Sequence, residues 1–279
     1  MKVWLIGGNS MFNSWTYEHV VTLLPTLVVF AIVSVLLGVW LKNRTEKIRL
    51  IPIHIVTILL VLLELIKQIK SIIIGYDFSK FPLYYCSLFI LLYLATSIYR
   101  GKHKDSVRTL TVTTGLTLLV TMLVMPDIIY SSGAVRNMLN DFDDFHTVVY
   151  HNLVLLGTML LLTLDFCKLH IKKDYLISSV FYISYCVIAA PISILSNKNF
   201  NHFTYNAVDF IENIRLGLID IFGYGFGQSI YVLLDLIVTV GFSLIVYTVI
   251  VIINRTLCKS DKRQVVIEDI VDEEHKFEN

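Results

Sequence analysis

Seven apolar runs recur along the chain, each close to the ~20 residues that a helix needs to cross the hydrocarbon of a bilayer. They lie near 18–41, 51–74, 82–99, 108–126, 146–167, 174–196 and 228–253. The pattern predicts an all-α, polytopic transmembrane bundle of seven spans within residues 1–258. A short acidic tail, 259–279, follows and is expected to be disordered; it carries Glu268, Asp269, Asp272, Glu273 and Glu274. Pro52 and Pro82 fall in first turns, where the N–H that proline lacks has no intrahelical partner anyway. Pro25 and Pro191 fall inside runs and predict kinks. The one long connection, Asn197 to Gly227, holds an amphipathic stretch, Ala207 to Phe222. It fits either a helix lying in the membrane interface or a cap over the outer face.

Loop charge sets an orientation. Lys42, Arg44, Lys47 and Arg49 follow the first run, and Arg100, Lys102, Lys104 and Arg108 the third. Lys168, Lys172 and Lys173 follow the fifth, and Arg255, Lys259, Lys262 and Arg263 the seventh. The alternate connections hold only Lys2, Lys80, Arg136, Lys198 and Arg215. The positive-inside bias therefore predicts an outer N-terminus and a cytoplasmic C-terminus, which needs an odd number of spans. Met1 to Asn9 is too short for a signal-peptide core, so the first span is expected to do the targeting.

Composition agrees with the pattern. A chain that is 56% hydrophobic and 16% charged has too little polar surface to cover a water-soluble fold. The net charge of +1, with no basic tract beyond the membrane flanks, gives no sign of a nucleic-acid partner. Membrane phospholipids are the expected partners, and the cell membrane the expected location. The sequence carries no sign of oligomeric state.

Candidate chemistry is sparse. The four cysteines form no CxxC pair, which argues against a zinc site or a redox couple. Cys167, Cys186 and Cys258 read as small hydrophobes in packing positions. Cys86 stands apart, about one helical turn, or ~6 Å, inside the head of the third run. His146 opens the fifth run, and His151 lies ~7 Å further in. An imidazole at similar depth can deprotonate a thiol, so Cys86 with His151 or His146 is a candidate nucleophile and base. In the second run Glu64 and Lys67 share a helical face and can pair; they can orient an imidazole, hold a lipid phosphate or line an ion path. Lys70 can snorkel from the same run. Asp143 or Asp144 can support His146. Asp235 interrupts the seventh run, and a polar path through Glu64, Lys67 and Asp235 would suit a transporter or channel-like protein instead. No internal repeat accompanies that alternative. The glycines of Gly223-Tyr224-Gly225-Phe226-Gly227 follow no strand and read as a turn.

The stretch Phe81-Pro82-Leu83-Tyr84-Tyr85-Cys86-Ser87-Leu88 resembles a family of bacterial integral membrane proteins typified by YwaF and related to the eukaryotic transmembrane protein 164. The Pro126-Asp127 step after the next run, the aromatic lead from Phe142 to Tyr150, and His151 match the same pattern; Glu64 resembles its acidic residue. The resemblance covers most of the second to fifth runs and implies transfer of a fatty acyl group between lipids, or its hydrolysis. By that resemblance Cys86 would carry the thioester and His151 would serve as base; from the residues themselves His146 is the other candidate base, and Glu64, Lys67 and Tyr85 are expected to contact the lipid. It implies no metal and no soluble cofactor, and a multi-pass place in a bacterial plasma membrane.

Overall fold

The computed structural model describes residue 15 and residues 17–130, 133–206 and 209–258. The acidic stretch 259–279 and the N-terminal stretch Met1 to Asn9 lie outside the described residues. In chain order the helices are α1 (Tyr17–Leu41), α2 (Glu46–Arg49), α3 (Ile51–Ile74), α4 (Leu88–Ile98), α5 (Lys104–Val124) and α6 (Pro126–Ile129). They continue as α7 (Ala134–Asn137), α8 (Phe142–Thr163), α9 (Ile171–Ser196), α10 (Asp209–Phe222) and α11 (Tyr224–Cys258). Among the described residues there is no strand. Among the described residues six helices are long and apolar enough to cross a membrane, and a shorter apolar one, Tyr85–Ile98, falls where the third run was expected. Both α1 and α9 run through their internal prolines, Pro25 and Pro191. Of the amphipathic stretch of the long connection, Asp209–Phe222 form α10.

The chain divides into two compact units. The first holds the described residues up to Lys67 together with Gly115–Asp165. In it α1 lies along α8. A Cβ at Gly38 would come within 2.8 Å of the Thr163 carbonyl oxygen, so glycine permits that close pass. A Cβ at Gly115 would collide with the Thr158 side chain in the same way. The Arg49 guanidinium donates to the Leu164 carbonyl and ties α2 to the end of α8.

The second unit holds Gln68–Thr114 and the described residues from Phe166 onward. Here α9 and α10 both pack on α11. Leu88, Tyr185, Cys186, Ala189, Ala190 and Phe203 form a buried apolar core, with Leu83 and Tyr85 against its edge. Asp174 at the start of α9 is buried. Its Oδ2 accepts the His170 N–H at 2.8 Å and the Tyr247 hydroxyl at 2.9 Å. The glycine cluster turns the chain at one residue only. Gly223, at φ +76°, joins α10 to α11, whereas Gly225 and Gly227 lie within α11. Gly227 lets α10 come close, since a Cβ there would meet the Ile219 Cα at 2.7 Å.

Candidate functional site

In the first unit α3 and α8 bring Glu64, Lys67 and His146 together. Lys67 Nζ lies 2.7 Å from Glu64 Oε2, the pairing that their i, i+3 spacing predicts. The same oxygen lies 3.4 Å from His146 Nε2. Glu64 is buried, so its charge sits beside Lys67, a partner that offsets part of its desolvation. The His146 ring stacks on Tyr150 at 5.2 Å, and Tyr150 meets His151 edge-on at 5.7 Å.

His151 has a single tautomer in this arrangement. Its Nδ1 lies 2.7 Å from the Thr147 carbonyl oxygen, which only accepts, so Nδ1 must carry the proton. The lone pair is thereby left on Nε2. That atom is buried and has no hydrogen-bond partner among the described residues. An imidazole held in this way is oriented as a base. Nothing in the sequence pattern signals His19, which is also buried in this unit between Trp15 and Tyr130.

Cys86 belongs to the second unit and is partly buried. Its place differs from the sequence expectation. Phe81 is extended, Tyr85–Ser87 is a 3₁₀ turn, and α4 begins only at Leu88. The thiol therefore sits at the head of the helix, not a turn inside it. The cause is the partners of this segment's backbone. Asn201 Oδ1 accepts the Tyr85 N–H at 2.5 Å, and Asn201 Nδ2 donates to the Leu83 carbonyl at 3.2 Å. The Tyr185 hydroxyl donates to the same carbonyl at 2.5 Å. Asn201 and His202 both take left-handed φ angles, +49° and +65°, which non-glycine residues seldom adopt. The brace continues outward. Phe200 is fully buried with Tyr84 edge-on at 5.2 Å, and Lys198 Nζ meets Asp77 Oδ1 at 3.0 Å. Ser79, through its hydroxyl and its N–H, and then Lys198 hold the Asp77 carboxyl well below the usual carboxylate range.

The N–H groups at the head of α4 are largely taken. Besides Tyr85, Ser87 donates to Tyr84 and Leu83 to Phe81, both at 2.8 Å, and Leu88 donates back into the 3₁₀ turn. Tyr85 turns its hydroxyl toward Tyr182, at 3.3 Å, and Ser243, at 3.5 Å. Cys186 lies in the apolar core and Asp235 is half-buried in α11. Among the described residues no group of His, Cys, Asp and Glu is arranged to hold a metal ion.

The long apolar helices define a multi-pass helical membrane protein. Within that class, residues 14–247 match the TMEM164 family, and the chain belongs to it. No curated protein matches the chain. No solved structure matches it either.

Proposed function

We propose that this protein moves a fatty acyl group of a membrane phospholipid through a thioester on Cys86, with His151 as base. The observation that carries the proposal is the His151 ring, whose Nδ1 is committed to the Thr147 carbonyl so that Nε2 is free to take a proton. Membership of the TMEM164 family and a partly accessible thiol at a braced helix head support it. In the reaction His151 Nε2 accepts the thiol proton and Sγ attacks the ester carbonyl carbon. The carbon–oxygen bond breaks, and the lysolipid leaves with the proton returned from His151. A lysolipid hydroxyl or water, deprotonated by the same ring, then attacks the thioester carbon; the carbon–sulfur bond breaks, Cys86 takes the proton back from His151, and the acyl group leaves on the new oxygen. Glu64 and Lys67 bind the polar part of the lipid, and His146, beside Glu64, is the competing candidate for the base. Crowding of the α4 head by bound N–H groups leaves little of the helix terminus for an oxyanion.

The short apolar helix Tyr85–Ile98 completes a seventh crossing in this proposal, with the N-terminus outside and the C-terminus cytoplasmic, as the loop charges direct. The test is acylation of the purified protein by a thiol-directed acyl probe, with the modified cysteine mapped by mass spectrometry. Labelling should fall on Cys86 and be lost in Cys86→Ser. It should slow by about 10²–10⁴-fold in His151→Ala, the usual contribution of a positioned base, and less in His146→Ala. Even labelling of all four cysteines would make Cys86 a packing residue and end the enzyme reading.

A further inference from the structure

Helix α10 is turned inside out by the standards of a water-exposed helix. Its charged pair faces its neighbour. Arg215 Nε and Nη2 clasp Glu212 at 2.9 and 2.5 Å, and Nη1 donates to Gln228 Oε1 of α11 at 2.9 Å. Gln228 is itself anchored, donating to the Phe203 carbonyl at 2.6 Å. Ile219, on the same side, rests on Gly227. At about 100° per residue, Phe210, Ile214 and Ile221 fall within a stripe of about 40° on the opposite face. Phe210 and Ile221 are each 72% exposed. Phe222, Tyr224 and Phe226, around the Gly223 turn, are exposed as well. Asn213 and Asp220 are exposed along one flank of the stripe.

A helix bathed in water would present Glu212 and Arg215 outward and bury Phe210 and Ile221; here both preferences are reversed. With 14 residues, or about 21 Å, α10 is too short to cross the ~30 Å of hydrocarbon. It is joined by one residue to α11, whose apolar segment is long enough to cross. We infer that α10 lies along the membrane interface with Phe210, Ile214 and Ile221 in the upper acyl chains, and that the partner of this surface is the lipid monolayer itself. Asn213 and Asp220 then face the headgroups, and the Glu212–Arg215–Gln228 contact keeps that charged pair satisfied against α11 and off the lipid-facing stripe. Of the two roles open to this stretch, interfacial helix or protein cap, the polarity selects the first.

The test uses the full chain in phosphatidylcholine vesicles, with Phe210→Trp, Ile221→Trp, Asn213→Trp and Asp220→Trp made one at a time. Two positions on each face keep the test standing if one variant does not fold. Emission is read as the increment over the parent, which has Trp4, Trp15 and Trp40. At 210 and 221 roughly half or more of the added emission should be lost when the lipid carries bromine on its upper acyl carbons, with no effect of aqueous iodide. At 213 and 220 iodide should quench. Iodide quenching at 210 and 221 would overturn the inference. So would shielding from both quenchers, the mark of a second protein copy on this face, or strongest quenching by bromine at the chain ends, the mark of a helix through the bilayer core.

Discussion

Asn201 shows how one side chain can set the position of another far away in sequence. Both ends of its amide are bound to backbone on either side of Tyr84, and its own backbone takes the left-handed conformation to reach them. Asn201→Ala should remove both bonds and add the left-handed penalty, about 1–2 kcal/mol for each contribution. Asn201→Gly removes the bonds alone and should be the more stable of the two by about 1 kcal/mol, read as unfolding midpoints in detergent. In both variants the alkylation rate of Cys86 should change while that of Cys186, in the apolar core, stays as it was. An unchanged rate at Cys86 would show that the clamp holds the loop and not the thiol. This readout does not depend on acyl transfer, so it separates positioning from chemistry. The contact with Tyr85 leaves no periodicity to read, since it joins residues 116 apart. The positions of the candidate residues could be read from the sequence, because a thiol, imidazoles and charges stand out against apolar runs. The clamp around the thiol could not, nor could the proton position on His151, which follows from a contact within one helix turn.

At the scale of elements, α3 carries charge in the middle of an apolar run only because a partner meets it. Glu64→Ala would leave Lys67 and His146 facing an apolar neighbour, and should cost about 3 kcal/mol, the low end for breaking a buried pair, since Lys67 can snorkel. Glu64→Gln, which keeps a hydrogen-bonding group, should lose less; equal losses in a thermal melt would argue against the pairing. The α10–α11 hairpin depends instead on a missing side chain. Gly227→Ala forces a Cβ against Ile219 and should destabilise the hairpin by about 1–3 kcal/mol, seen as earlier proteolysis at the Gly223 turn. The same hairpin should respond to acid. Arg215 holds the Glu212 carboxyl below its ordinary value of 4.5, so its contribution is full above about pH 4.5 and fades as pH falls toward the lowered value. Glu212→Gln should remove that dependence from a pH series of proteolysis rates, and a dependence that survives the change would assign it to another carboxylate.

For the molecule as a whole, length and apolarity of the runs were enough to find the helices, because a bilayer leaves the backbone almost no other way to satisfy its N–H and C=O groups. Boundaries moved where side chains intervened. The expected third span, 82–99, became an extended entry, a 3₁₀ turn and an 11-residue helix, because Pro82 and the Asn201 clamp draw its first residues out of helical geometry. The apolar part, Tyr85–Ile98, spans about 21 Å, so a seventh crossing needs the bilayer to thin locally or the extended entry to complete the passage. This makes α4 the element on which the proposed orientation depends. If it crosses, cysteines placed at Asn43 and Lys102 share the cytoplasmic side, and one at Leu139 is reached only from outside. If it does not, Asn43 and Lys102 lie on opposite sides. A membrane-impermeant maleimide applied to sealed vesicles of known sidedness, in a background with the native cysteines replaced by serine, should label Leu139→Cys from outside. Asn43→Cys and Lys102→Cys should react only after permeabilisation. Labelling of Lys102→Cys from outside, with Asn43→Cys still protected, would reduce the crossings to six and place Cys86 in a segment that dips into the membrane and returns.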